Sequence, residues 1–93
     1  MTKEEFKARA NQKIDEISAK INGLKAEKEA AKGDASSKYD EALRELKSKK
    51  ENLESKYKEL QHASDEKWEE MKSAFSSAAE SFETGWKKFT SKF

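Results

Sequence analysis

The strongly apolar residues of this sequence return every three or four positions along almost its whole length and nowhere alternate at every second one. Phe6, Ala10, Ile14, Ile17, Ile21 and Leu24 form one series. Tyr39, Leu43, Leu46, Leu53, Tyr57 and Leu60 form a second, and Trp68, Met71, Phe75, Ala78, Phe82, Trp86, Phe89 and Phe93 a third. That spacing lines side chains along one face of a helix, whereas a half-buried strand needs a period of two. The chain is therefore predicted to be all-α. No proline interrupts it, and the residues between the apolar positions are mostly Lys, Glu, Ala and Ser. Lys, Glu and Ala are good helix formers that suit a solvated face.

The stripe is narrow. Most turns carry one strong apolar residue, which suits the seam of a coiled coil better than the broad face of a globular helix. Followed from Ile14 to Phe93, the seam averages about 3.6 residues per turn, which predicts nearly straight helices with shallow supercoiling. Lys28 and Lys50 fall on seam positions, where they weaken packing or snorkel outward. Glu5–Arg9, Glu16–Lys20, Glu45–Lys49, Glu54–Lys58 and Glu83–Lys87 are acid-then-base pairs at i,i+4. Each adds about 0.2–0.5 kcal/mol at most, so holding helices together falls to the seam.

Thr2 with Glu5 fits a capping box, and Phe6 opens the apolar pattern, so helix is expected from about residue 3. Two places invite a turn. Near 33–37, Gly33 suits a C′ position, Lys32 a last turn, and Asp34 or Ser37 a following cap. Near 61–64, Ser64 followed by Asp65 and Glu66 resembles a helix start, although Lys67 stands where a full box needs Glu or Gln. Breaks at both give segments 3–32, 35–61 and 65–92. The expected fold is a single helical coiled-coil domain over residues 1–93, as an antiparallel coiled-coil hairpin or an up-down-up three-helix bundle. Extended helices in an oligomeric coiled coil are the alternative, because the stripe keeps phase through both sites and one Gly costs only about 1 kcal/mol inside a helix.

The C-terminal third differs. Trp68, Phe75, Phe82 and Phe89 repeat at seven, while the companion positions Met71, Ala78 and Gly85 shrink steadily. Trp86 and Phe93 add bulk one residue further round. Large rings beside small residues let a second helix approach closely, so Trp68, Met71, Phe75, Phe82, Trp86, Phe89 and Phe93 are the candidate core or interaction face.

Catalytic chemistry finds no foothold. Twenty Lys and Arg face nineteen Asp and Glu, a net charge of +1 that gives no general attraction for nucleic acid. Arg44, Lys47, Lys49 and Lys50 make a basic stretch, but Glu45 interrupts it and Glu51 follows. Without cysteine there is neither a disulfide framework nor a thiolate metal site. His62 is the lone histidine, so no zinc or catalytic cluster has a basis. Phosphate-loop, GxSxG and HExxH motifs are missing, as is an apolar run long enough to span a bilayer. No cofactor, metal or small-molecule substrate is expected, and a chain this short cannot enclose a large pocket beneath a core.

The run YDEALRELKSKKENLESKYKEL, the following ASDEKWEEMKSAFSSAAESF and the terminal SKF resemble a group of small Lys/Glu/Ala-rich bacterial proteins described as coiled-coil proteins. The likeness covers residues 3 to 93. The Gly33-Asp34 pair departs from the more continuous helix of that group. The group has no established activity, so the resemblance implies helices and no catalytic residues. Together these readings point to a non-enzymatic helical scaffold or protein-interaction module, acting by amphipathic helix pairing through self-association or with a partner helix. The N-terminal residues lack a secretory-signal pattern, which makes the cytoplasm the expected compartment. A peripheral membrane-associated or stress-protective amphipathic helical protein is the alternative.

Overall fold

The Thr2 hydroxyl accepts a hydrogen bond from the Glu5 N–H at 3.1 Å, and the first helix starts where the capping pattern places it. The box is only half made: the Thr2 hydroxyl also donates to Glu5 Oε1 at 3.3 Å. In the computed structural model, which describes residues 1–91, the chain forms α1 (Lys3–Ala30), α2 (Asp34–Gln61) and α3 (Trp68–Thr90). They pack as an up-down-up three-helix bundle without strands among the described residues. The bundle measures 51 × 18 × 17 Å, and its radius of gyration is 15.2 Å. A globular chain near this length has about 13 Å; the excess comes from helices of 28 residues, each about 42 Å long.

Both turns differ in detail from the sequence reading. Ala31 has already swung to extended backbone (φ −79°, ψ 150°), and its N–H donates to the Glu27 and Lys28 carbonyls. Lys32 therefore lies outside α1. Gly33 is not the C′ residue of α1 but the N-cap of α2, at φ 65° and ψ −135°, and its carbonyl accepts from the Ser36 N–H. Neither Asp34 nor Ser37 provides a side-chain cap there; Asp34 is the acid in the first turn. At the second turn Ser64 does not cap α3. Its carbonyl accepts from the Lys67 N–H in a separate turn, and the helix begins only at Trp68. Lys67 carries no carboxylate to complete a box, and Asp65 is drawn away to Lys3 on α1.

Buried residues repeat at seven in every helix. Ala10, Ile17 and Leu24 do so in α1, Leu46, Leu53 and Leu60 in α2, and Trp68, Phe75, Phe82 and Phe89 in α3. Ile21, Ala42, Leu43 and Ala78 complete the core, and among the described residues no polar or charged side chain is buried in it. Of the seam lysines, Lys28 is half-buried and reaches out to pair with Asp40. Helix α2 lies close against both neighbours, whereas the α1 and α3 backbones approach each other at few positions.

The two glycines with open space around them predict opposite effects. A Cβ at Gly33 meets nothing within 4 Å, but its positive φ strains any other residue. Gly33→Ala is expected to lower stability by about 1–3 kcal/mol. Gly23 lies exposed inside α1 with equally open space, so Gly23→Ala is expected to raise stability by about 1 kcal/mol. Thermal melts of the two variants check both signs.

Candidate functional site

Trp68, Phe75, Phe82 and Phe89 project from one side of α3 into the bundle, and Phe82 has no exposed surface. Met71 and Trp86 are half-buried against the same core. Phe93 lies outside the described residues. The structure thus brings six of the seven sequence-predicted residues onto one face and turns that face inward. Phe6 of α1 meets Trp68 at 5.8 Å and Phe75 at 6.1 Å, both edge-on. Tyr57 and Tyr39 of α2 reach Phe75 and Phe89 at 6.3 and 5.8 Å. Phe82 and Trp86 stack at 6.4 Å. Edge-on and offset rings match the quadrupole preference of aromatic pairs.

The small companion positions do what their size allows. Ala78 is buried, and Gly85 faces α2, where a Cβ would stand 3.1 Å from Lys49 Cε and 3.5 Å from Leu46 Cδ2. The Lys49 stem lies over Gly85 and its ammonium donates to Ser81 Oγ at 2.9 Å. Beside this contact a groove of about 470 Å³ opens between α2 and α3. Ala42, Leu46, Gly85 and Phe89 line its floor, and Lys38, Glu41, Glu45 and Lys88 its rim.

The wider gap between α1 and α3 is bridged by long side chains. Glu83 Oε1 lies 2.7 Å from Lys13 Nζ, and Oε2 lies 3.6 Å from Lys20 Nζ. Oε1 meets no well-aligned donor, yet at that separation the ammonium's charge sets its surroundings. The Lys13 ammonium against it, aided by Lys20, outweighs partial burial and holds the Glu83 carboxyl below the usual carboxylate range. Lys20 also lies over the Trp86 ring, and Lys3 and Lys7 lie over Trp68. Their stems cover ring surface that a narrow stripe on α1 leaves bare.

The sequence hides this clamp, because i,i+4 spacing pairs Glu83 with Lys87 and Lys20 with Glu16. Among the described residues none of the five i,i+4 pairs is within ion-pair distance; Glu83 and Lys20 pair with each other instead. The available signal was the spacing of seven between Lys13 and Lys20, flanking the isoleucine stripe.

His62 is exposed at the end of α2. Among the described residues no cluster of three His, Cys, Asp or Glu is placed to hold a metal ion, and no helix is long and apolar enough to cross a membrane. No family model matches the chain, and neither a curated protein nor a solved structure shows significant similarity to it.

Truncating Phe82 to Ala is expected to cost about 3–5 kcal/mol, read as a clear fall in melting temperature, because the ring is fully enclosed. Acid should act through Glu83. Its folded-state pKa is depressed, so its contribution is complete above the ordinary value of 4.5 and lost as pH falls through the folded value. A partly exposed, solvent-screened pair is worth about 1 kcal/mol or less. Glu83→Gln is expected to lower the melting temperature slightly at neutral pH and to flatten its decline on acidification.

Proposed function

We propose that this chain is a non-enzymatic helical scaffold of the cytoplasm, akin to the small bacterial coiled-coil proteins it resembles, and that it pairs with a second copy of itself through the α2–α3 groove. The observation that carries this reading is the division of the apolar residues. The aromatic face of α3 is spent inside the bundle, while a groove with an apolar floor and a balanced charged rim stays open. Lys38, Glu41, Ala42 and Glu45 form one strip on α2 at i, i+3, i+4 and i+7. When α2 meets its own copy antiparallel about a two-fold axis, Lys38 of each copy stands opposite Glu45 of the other. A two-fold contact of this kind needs a self-complementary surface, and this rim is one. Each charge pair is worth about 1 kcal/mol or less, so the association is weak and reversible.

The alternative of a membrane-surface or stress-protective helix requires α3 to leave the bundle and expose its rings. Helicity gained only with lipid vesicles or on drying favours that role.

Light scattering over a concentration series tests the pairing. The particle mass is expected to rise with concentration. Glu45→Lys, which sets like charges against each other twice, is expected to weaken association about tenfold, and adding Lys38→Glu to restore it. Both positions are exposed, and circular dichroism is expected to show an unchanged fold. A wild-type chain that stays monomeric, or a charge exchange without effect, removes the self-pairing reading.

A further inference from the structure

Among the described residues four lysines are held against acids from a distant part of the chain. Lys3 pairs with Asp65, Lys13 and Lys20 with Glu83, and Lys28 with Asp40. One groove gathers several bases without such partners. On the side of α2 turned towards α1, a groove of about 510 Å³ is lined by Lys25, Lys28, Glu29, Asp40, Leu43, Arg44 and Lys47. Asp40 is taken by Lys28, which leaves Glu29 as the remaining acid of the lining. Among the described residues no carboxylate is in ion-pair contact with Lys25, Arg44, Lys47 or Lys50.

Lys25 stands instead against other cations. The charge of Lys47, then partial desolvation, then the close Lys47 ammonium as a competing donor and the charge of Lys50 hold the Lys25 ammonium below the usual lysine range. The bundle itself creates this concentration of charge. Lys25 belongs to α1, and Arg44 and Lys47 to α2, so only the antiparallel α1–α2 pairing brings them to one groove.

We infer that the α1–α2 groove is an anion site for a compact group of phosphates, held by Lys25, Arg44 and Lys47, with Lys50 beside it. Two ammonium groups each offer three donors, and the guanidinium offers a planar fork suited to paired phosphate oxygens. A carboxylate brings one charge and two oxygens, enough for Arg44 alone; a group of linked phosphates brings several charges and answers all the cations. Bound there, it turns mutual repulsion between Lys25 and Lys47 into shared attraction. This site lies away from the groove used in the proposed self-pairing and does not depend on it. Two sources present the same chemistry: a free oligophosphate, and the phosphorylated headgroup of a lipid.

Calorimetric titration with inorganic tripolyphosphate in low-salt buffer tests the site. Saturable binding that weakens as salt is added is expected. Lys25→Gln with Lys47→Gln is expected to weaken it about tenfold or more, since both ammonium partners of the anion are lost. Arg9→Gln with Lys58→Gln removes the same charge from exposed positions elsewhere and is expected to leave binding unchanged. All four lysine and arginine positions are exposed, so both variants fold, and melts in buffer without anion verify it. There the first variant is expected to melt no lower than wild type, because it relieves repulsion.

Co-sedimentation with phosphatidylcholine vesicles containing a phosphatidylinositol phosphate separates the sources. Vesicle binding displaced by tripolyphosphate assigns the site to a headgroup, and tripolyphosphate binding without vesicle binding to a soluble anion. Absence of binding to both probes overturns the site. So does equal weakening by the two double variants, or a polyglutamate peptide that binds more tightly than tripolyphosphate.

Discussion

Covering the aromatic row of α3 is the requirement around which the bundle is arranged. Trp68, Phe75, Phe82 and Phe89 repeat at seven and carry far more apolar surface than the leucines and isoleucines of the other helices. One neighbouring helix with a narrow stripe cannot hide them. Helix α2 supplies Leu46, Leu53 and Leu60 from one side, with Tyr39 and Tyr57 on the flanks. Helix α1 closes the other side with Phe6 and the isoleucines. Burying rings of this size is the dominant favourable contribution a chain with so few apolar residues can make.

The charged residues are part of the same solution. Because α1 and α3 stand apart in backbone terms, their gap is filled by long side chains that are apolar along the stem and charged at the tip. Lys20 covers Trp86 and reaches Glu83, and Lys3 covers Trp68 and reaches Asp65. A narrow apolar stripe therefore serves a three-helix arrangement, with lysine stems supplying the missing width. Lys20 and Glu83, seen along their own helices, look like members of ordinary solvated i,i+4 pairs; packing re-routes them across the gap.

What is left on the outside follows from what was spent inside. With the rings enclosed, Met1 is the one large apolar side chain standing well exposed among the described residues. The remaining features are grooves where helices meet. One has an apolar floor and a rim of balanced charge, and the other gathers bases from two helices. Their chemistry differs because α2 offers a different strip to each neighbour: Lys38, Glu41, Ala42 and Glu45 on one side, Asp40, Leu43, Arg44 and Lys47 on the other.

The sequence alone determined the all-α class, the start of α1 at Thr2 and the identity of the buried stripe, because helical period and local capping depend on residues within a turn or two of one another. It also marked the shrinking series Met71, Ala78 and Gly85, whose last member does admit the Leu46–Lys49 surface of α2. The role of Gly33 as the start of α2 instead of the end of α1, and the delay of α3 to Trp68, came from competition. Ala31 ends α1 early, and Lys3 claims Asp65. Tertiary structure decided the partners of the charged side chains that reach between helices. Glu83 finds Lys13 and Lys20, and Lys25 meets Lys47, across distances in the chain that no local spacing encodes. Attraction between flexible tips is weak and sensitive to position, so it is settled only after the stronger demand of ring burial has placed the helices.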